Sequence, residues 1–217
     1  MELQLLDVLI RKFRPEDRAA LRAISCQTAF LGCAEQFIDD FEILADSLTI
    51  YFTDYEPQSS FVATLNGRVV GYLNGGKNAK VVSCVFSLRL CPRIIFKAVV
   101  YGLFFKPKFL QFAGHSLLSL FKGEFFMPDF SKDYPAILHI NLMEEVRGQG
   151  VGSRMLKEYF QYLRENQVPG ALVSTMTEEG KRFFESYGFQ VLFVSKRSFF
   201  RYRLGRDVPL YILGKKL

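Results

Sequence analysis

Apolar and polar positions alternate along this chain with two distinct periods. Residues 3–13 are apolar-rich and predict a first strand. Arg14-Pro-Glu-Asp17 predicts a helix start, since proline suits the first turn and the acids suit its dipole. Ala19, Ala20, Leu21, Ile24 and Phe30 then give that helix an apolar face. A second helix is predicted over 34–51, with Phe37, Phe41, Leu44, Ala45 and Leu48 inward. Residues 61–73 read as a hairpin whose turn is Asn66-Gly67, the pair that best tolerates positive φ at both positions. Residues 77–131 break the rhythm. They hold two or three phenylalanine-dense helical runs, interrupted at Pro92 and Pro107. A loop follows over 129–135, and Pro135 biases Tyr134 to an extended conformation leading into an apolar strand over 136–143. Met155, Leu156, Tyr159, Phe160 and Leu163 form the next helical stripe. A strand over 170–176 precedes a helix over 177–187, N-capped by Thr177 and closed by Gly188. Strands are expected again over 189–194 and 208–213. This alternation predicts an α/β fold.

Between the 136–143 strand and its helix lies Glu145-Val-Arg-Gly-Gln-Gly-Val-Gly152. A helix N-terminus presents unpaired N–H groups and the positive end of a dipole. Glycines let backbone approach a ligand closely, and Arg147 adds a positive charge. The stretch therefore reads as a phosphate-binding turn. The spacing is not that of a dinucleotide fold, because the third glycine would fall at Met155, and no Gly-Lys-Ser/Thr follows as a P-loop requires.

Arg147, Gly150 and Gly152 resemble the Arg-x-x-Gly-x-Gly signature of the GNAT family of N-acetyltransferases. Phe183-Phe-Glu-Ser-Tyr-Gly-Phe189 resembles that family's closing helix and its Gly-Phe turn. Ile10-Arg-Lys-Phe-Arg-Pro-Glu-Asp-Arg-Ala-Ala-Leu21 resembles its opening strand and helix. Tyr134-Pro-Ala-Ile-Leu-His-Ile-Asn141 is closest in wording to the acetyltransferase-like domain of O-GlcNAcase and its bacterial relatives. The resemblance implies a mixed, twisted sheet flanked by helices, with 77–131 as a helical insertion between strands 3 and 4 of one acetyltransferase-like domain. It also implies acetyl-CoA as co-substrate and no metal. Backbone groups of Asn141, Leu142 and Met143 would hold the pantetheine, and Arg147, Gly148, Gln149, Gly150, Val151, Gly152 and Ser153 the pyrophosphate.

Acyl transfer to an amine needs a polarised thioester, an amine that loses its proton and a protonated leaving thiolate. The family's frequent acid, a tyrosine in the closing helix, falls on Phe184 here, which has no proton to give. Tyr187, one helical turn on, is the available phenol. The family's asparagine is Thr177, its alanine is Gly180, and the subgroup's strand aspartate is Asn141. His139 is the histidine of the core strand, titrates near neutrality and faces away from Leu138 and Ile140. Tyr187 and His139 are thus the catalytic candidates. Two readings stand: an acetyl-CoA-dependent N-acyltransferase acting on a primary amine of a small molecule or peptide, and a non-catalytic acyl-CoA-binding module.

Composition narrows the setting. There is no run of apolar residues approaching the ~20 that span a bilayer, and residues 1–7 lack the basic start of a signal peptide, so a cytoplasmic protein is expected. Cys26, Cys33, Cys84 and Cys91 match no metal framework and are expected to be small buried hydrophobes. Between Lys77 and Gly123 lie Lys77, Lys80, Arg89, Arg93, Lys97, Lys106, Lys108 and Lys122, with no acid. That exceeds the whole chain's net charge of +6, so the remainder is slightly acidic. The asymmetry suggests either a packed insertion with solvated lysines or a basic, apolar lid that meets an anionic ligand or membrane surface. No nucleic-acid partner is expected, and the oligomeric state is left open.

Overall fold

A computed structural model describes residues 7–217. Seven strands form one mixed sheet among these residues: β1 (Val8–Lys12), β2 (Phe61–Leu65), β3 (Arg68–Gly76), β4 (Ala136–Leu142), β5 (Gly170–Thr175), β6 (Gln190–Arg197) and β7 (Val208–Lys216). Their spatial order is β1-β2-β3-β4-β5-β7-β6, and every neighbouring pair is antiparallel except β4 and β5. Residues 3–6 of the expected first strand lie outside the described residues.

The helices are α1 (Arg18–Gly32), α2 (Ala34–Phe37), α3 (Phe41–Ile50), α4 (Ala79–Val85), α5 (Cys91–Val100), α6 (Pro107–Phe121), α7 (Val151–Glu165), α8 (Glu178–Ser186) and α9 (Arg201–Leu204). The α7 stripe of Met155, Leu156, Tyr159 and Leu163 packs on Val70, Leu73 and Leu138, together with Phe184 of α8. On the opposite face, Leu21 and Ile24 of α1 cover Val62, Val69 and Tyr72. Asn66 and Gly67 have φ of 51° and 78°, as the hairpin turn requires. Thr177 Oγ1 accepts from the Gly180 amide at 3.0 Å and caps α8. Gly188 closes that helix at φ 80°, with the Phe189 amide donating back to the Phe184 carbonyl.

Several expectations need correction. The helix over 34–51 is two helices. Ile38 and Asp40 are extended, and Asp40 Oδ1 caps α3 by accepting from the Ile43 amide at 2.9 Å. Re-starting the helix rotates its face, so Phe41, expected inward, is 44% exposed. The two last strands run longer than the apolar pattern suggested, because β6 pairs with β7 as far as Arg197↔Val208 and residues 214–216 of β7 pair with β5. Of the cysteines only Cys26 is buried, and Cys84 is exposed.

Helices α4 to α6 connect β3 to β4, and their inner faces are fixed. Leu90, Val82 and Val85 pack on Ile50 and Tyr51, and Ala98 and Leu103 pack on Ile43. Buried Asp46 of α3 receives Arg22 of α1 at 2.5 Å and Lys97 of α5. Desolvation alone would raise the Asp46 carboxyl; the hydrogen bonds from Lys97 and Arg22 outweigh it and hold the carboxyl below the ordinary aspartate value. Buried Glu56 accepts from the Lys77 amide at 2.9 Å and from Tyr51 Oη at 2.9 Å where the segment leaves β3. Glu124 accepts from the Ser198 amide at 2.7 Å where it turns back.

Candidate active site

The parallel pair β4–β5 is the centre of the site. It is bonded only through Ala136↔Ala171, Ile137↔Leu172 and Leu138↔Val173. Beyond Leu138 the strands part, while β4 stays paired to β3 as far as Leu142↔Gly71 and β5 stays paired to β7 as far as Thr175↔Tyr211. A wedge therefore opens between His139–Leu142 and Ser174–Thr175. Its walls carry backbone groups turned away from their paired neighbours, which can accept an extended ligand as an extra strand.

The glycine turn lies at the wedge's open end. Gly148 and Gly150 have φ of 74° and 73°, and a Cβ on either would meet nothing within 4 Å, so the floor of the turn is clear. Gly150 is the N-cap of α7 and no side chain caps that end. The Arg154 amide is the first to bond back, to the Gly150 carbonyl at 3.1 Å, leaving the Val151, Gly152 and Ser153 amides as first-turn donors. Gly152 faces Phe183 of α8, whose Cζ would lie 3.1 Å from a Cβ there. Arg147 Nε donates to the Leu142 carbonyl at 3.0 Å, which folds the guanidinium back along the end of β4. Gln149 Nε2 donates to the Glu145 carbonyl at 2.8 Å, and Glu145 itself pairs with Arg68 at 2.7 Å. Uncapped amides, a clear floor and an arginine form a donor set that fits a pyrophosphate.

The two catalytic candidates occupy different places. His139 is half-buried on the α1 face of β4, its Nδ1 3.3 Å from Tyr72 Oη and its Nε2 3.2 Å from Asn141 Nδ2. Asn141 Nδ2 also donates to Tyr72 Oη at 2.8 Å, closing a triangle. Desolvation pushes His139 down from 6.5 to about 4, so the ring is neutral at pH 7. Burial pushes the Tyr72 phenol well up. Tyr187 caps the end of α8, and its hydroxyl donates to Ser153 Oγ in the first turn of α7. It is thus part of the glycine-turn wall, while Phe184 is buried against Phe183 and Phe189.

Sequence reasoning passed over Tyr72 and Asn74. Tyr72 lies opposite Asn141 and Asn74 opposite His139 in the β3–β4 register. Asn74 is fully buried, and neither polar atom of its side chain has a partner among the described residues. Polar residues at alternate positions of the apolar run Val69-Val-Gly-Tyr-Leu-Asn74 were the available signal. A groove of about 640 Å³ lined by Lys12, Phe61 and Tyr162 sits at the far end of α7 and shares no residue with the wedge.

Residues 28–189 match the model of the acetyltransferase (GNAT) family. The chain belongs to that family. A search of curated protein sequences returned no match. Among solved structures, the chain resembles SsHAT with a TM-score of 0.70 at 21% identity, covering 96% of this chain and 98% of that one. It resembles a polyamine N-acetyltransferase from Drosophila melanogaster that forms N-acetylagmatine, with a TM-score of 0.58, 15% identity and coverage of 97% and 100%. A ribosomal-protein-alanine N-acetyltransferase from Brucella melitensis gives a TM-score of 0.55, 20% identity and coverage of 96% and 99%. At these identities the structural likeness shows the fold alone. The GNAT membership carries acetyl-CoA with it as the family's acyl donor.

Proposed function

We propose that this chain is an acetyl-CoA-dependent N-acyltransferase that acetylates a primary amine of a small molecule or peptide. The observation that supports it most is the wedge between β4 and β5 leading directly into the uncapped glycine turn of α7. When bound, acetyl-CoA supplies an activated acyl group as a thioester. The backbone of Asn141, Leu142 and Met143 is assigned to holding its extended arm. The amides of 148–153 and the Arg147 guanidinium are assigned to neutralising its phosphates.

The Tyr72–His139–Asn141 triangle and the unpartnered Asn74 amide form the polar wall on the α1 side of β4. This wall is assigned to the acceptor amine. The Asn74 carbonyl oxygen offers a hydrogen-bond acceptor to an ammonium or amine, neutral His139 orients the wall through Tyr72 and Asn141, and solvent takes the proton. Tyr187 is assigned to fixing α8 against α7, and any proton it delivers to the departing thiolate would pass by way of Ser153. The octapeptide Tyr134–Asn141 is the sole support for the finer likeness to the O-GlcNAcase-type domain, and the acceptor is not drawn from it.

A second reading, an acyl-CoA-binding module without turnover, is favoured by one observation: buried Phe184 at the family's acid position. Thiol release monitored with acetyl-CoA and a panel of polyamines, lysyl peptides and amino sugars separates the two. Amine-dependent release above the hydrolysis background supports the enzyme. Saturable acetyl-CoA binding with no release across the panel supports the binding module.

A further inference from the structure

Most exposed large apolar side chains of the described residues lie in one segment, from Val81 to Met127. The inner faces of α5 and α6 are fixed by packing and by Asp46–Lys97 and Asp39–Lys108 pairs. Their outer faces carry Ile95, Phe96, Val99 and Val100 on α5, and Leu110, Leu117, Leu118 and Phe121 on α6. Soluble surfaces scatter such residues singly; apolar faces this dense on two anchored helices are interaction surfaces. Something must cover it, and the charge pattern says what.

The segment from Lys77 to Gly123 holds no acid. At three places an outward apolar side chain is followed directly by a cation: Leu88 by Arg89, Phe105 by Lys106 and Phe121 by Lys122. Among the described residues none of these three cations is in an ion pair. An interfacial helix meets an anionic bilayer in this way, its apolar groups at the acyl boundary and its cations among the headgroups. A second copy of the chain would set basic face against basic face across a two-fold axis. No helix of the described residues is long and apolar enough to cross a membrane, so contact would be at the surface.

We infer that the outer faces of α5 and α6 dock this protein on an anionic lipid bilayer. The test is vesicle flotation of the full chain at low salt, comparing phosphatidylcholine vesicles with phosphatidylcholine–phosphatidylglycerol vesicles. Two double variants accompany the wild type. Phe105→Ser with Phe121→Ser removes two anchors that are 87% and 80% exposed, and Arg89→Glu with Lys106→Glu reverses two cations. Phe105, Phe121 and Arg89 are exposed and the half-buried Lys106 side chain makes no hydrogen bond or ion pair among the described residues, so thermal midpoints and acetyl-CoA affinity stay at wild-type values. Supporting results are co-flotation with the anionic vesicles, and partition about tenfold or more weaker on the neutral vesicles and in each double variant. Three results overturn the inference: no co-flotation with anionic vesicles, equal partition of wild type and variants, or a sedimenting dimer that both variants dissolve while lipid binding is absent. Because the readout is partition and not turnover, failure here leaves the acyltransferase reading standing.

Discussion

At the scale of single residues, the site divides into positions where only backbone counts and positions where a side chain must act. Gly148 and Gly150 belong to the first class, and the sequence alone identified them because no other residue takes φ near +73° so freely. His139 belongs to the second. Its folded value of about 4 lies below the ordinary 6.5, so between those values the unfolded chain binds more protons than the folded one. Stability therefore rises with pH across that window and is fully recovered above it. Thermal or urea unfolding of wild type and His139→Phe from pH 4 to pH 7 is the check. The wild type should lose roughly 2 kcal/mol toward the acid end that the variant keeps. Tyr72→Phe should leave acetyl-CoA affinity unchanged and lower kcat/KM for the amine about tenfold, because Asn141 and His139 both lose their shared partner. Unchanged amine kinetics would remove the triangle from the acceptor wall. Tyr72 and Asn74 stood out only as polar residues alternating in an apolar run; their role depends on the β3–β4 register, a long-range pairing across residues 77–135. The Tyr187 hydroxyl was legible as a phenol near the turn, but not as the partner of Ser153, since that contact joins two separate helices.

At the scale of elements, periodicity located nearly every helix and strand, and caps decided where they ended. Thr177 and Gly188 are local signals and were read correctly. The helix expected over 34–51 runs through Asp40, whose carboxylate instead caps the start of α3. Replacing Thr177 with alanine should cost about 1 kcal/mol and loosen α8, measurable as faster amide exchange in 178–186. Asp46 joins three helices, and it has a sharper signature. Its depressed folded value means its contribution is present above the ordinary aspartate range and is lost as pH falls below it. Asp46→Asn leaves Arg22 and Lys97 without their shared carboxylate, and should destabilise the fold by about 2–4 kcal/mol, with α5 exchanging first. A melting curve that matches wild type at neutral pH would show that packing alone holds α5 on α3.

At the scale of the whole molecule, the order β1-β2-β3-β4-β5-β7-β6 could not be read from periods alone. The resemblance, which rests on short motifs around Arg147–Gly152 and Phe183–Phe189, implied a mixed, twisted sheet but not this order. The charge asymmetry of 77–123 was visible in the sequence, whereas the outward faces of α5 and α6 required knowing which side of each meets α3. Both features converge on one architecture. On the proposed reading, a split sheet would offer backbone to an extended acyl donor, a glycine turn would offer amides to its phosphates, and the outer faces of α5 and α6 would offer a separate surface. The central claim is that the turn is an anion site. It is tested most directly by isothermal titration of acetyl-CoA into wild type and into Gly150→Glu. The side chain at 150 would project into open space and the left-handed φ of 73° costs about 1–2 kcal/mol, so the variant should fold, with a lower thermal midpoint, while placing a carboxylate at the floor of the turn. Saturable binding to the wild type that is abolished in the folded variant is the expected result. No binding to the wild type at millimolar ligand, or equal affinity in the variant, would contradict the account.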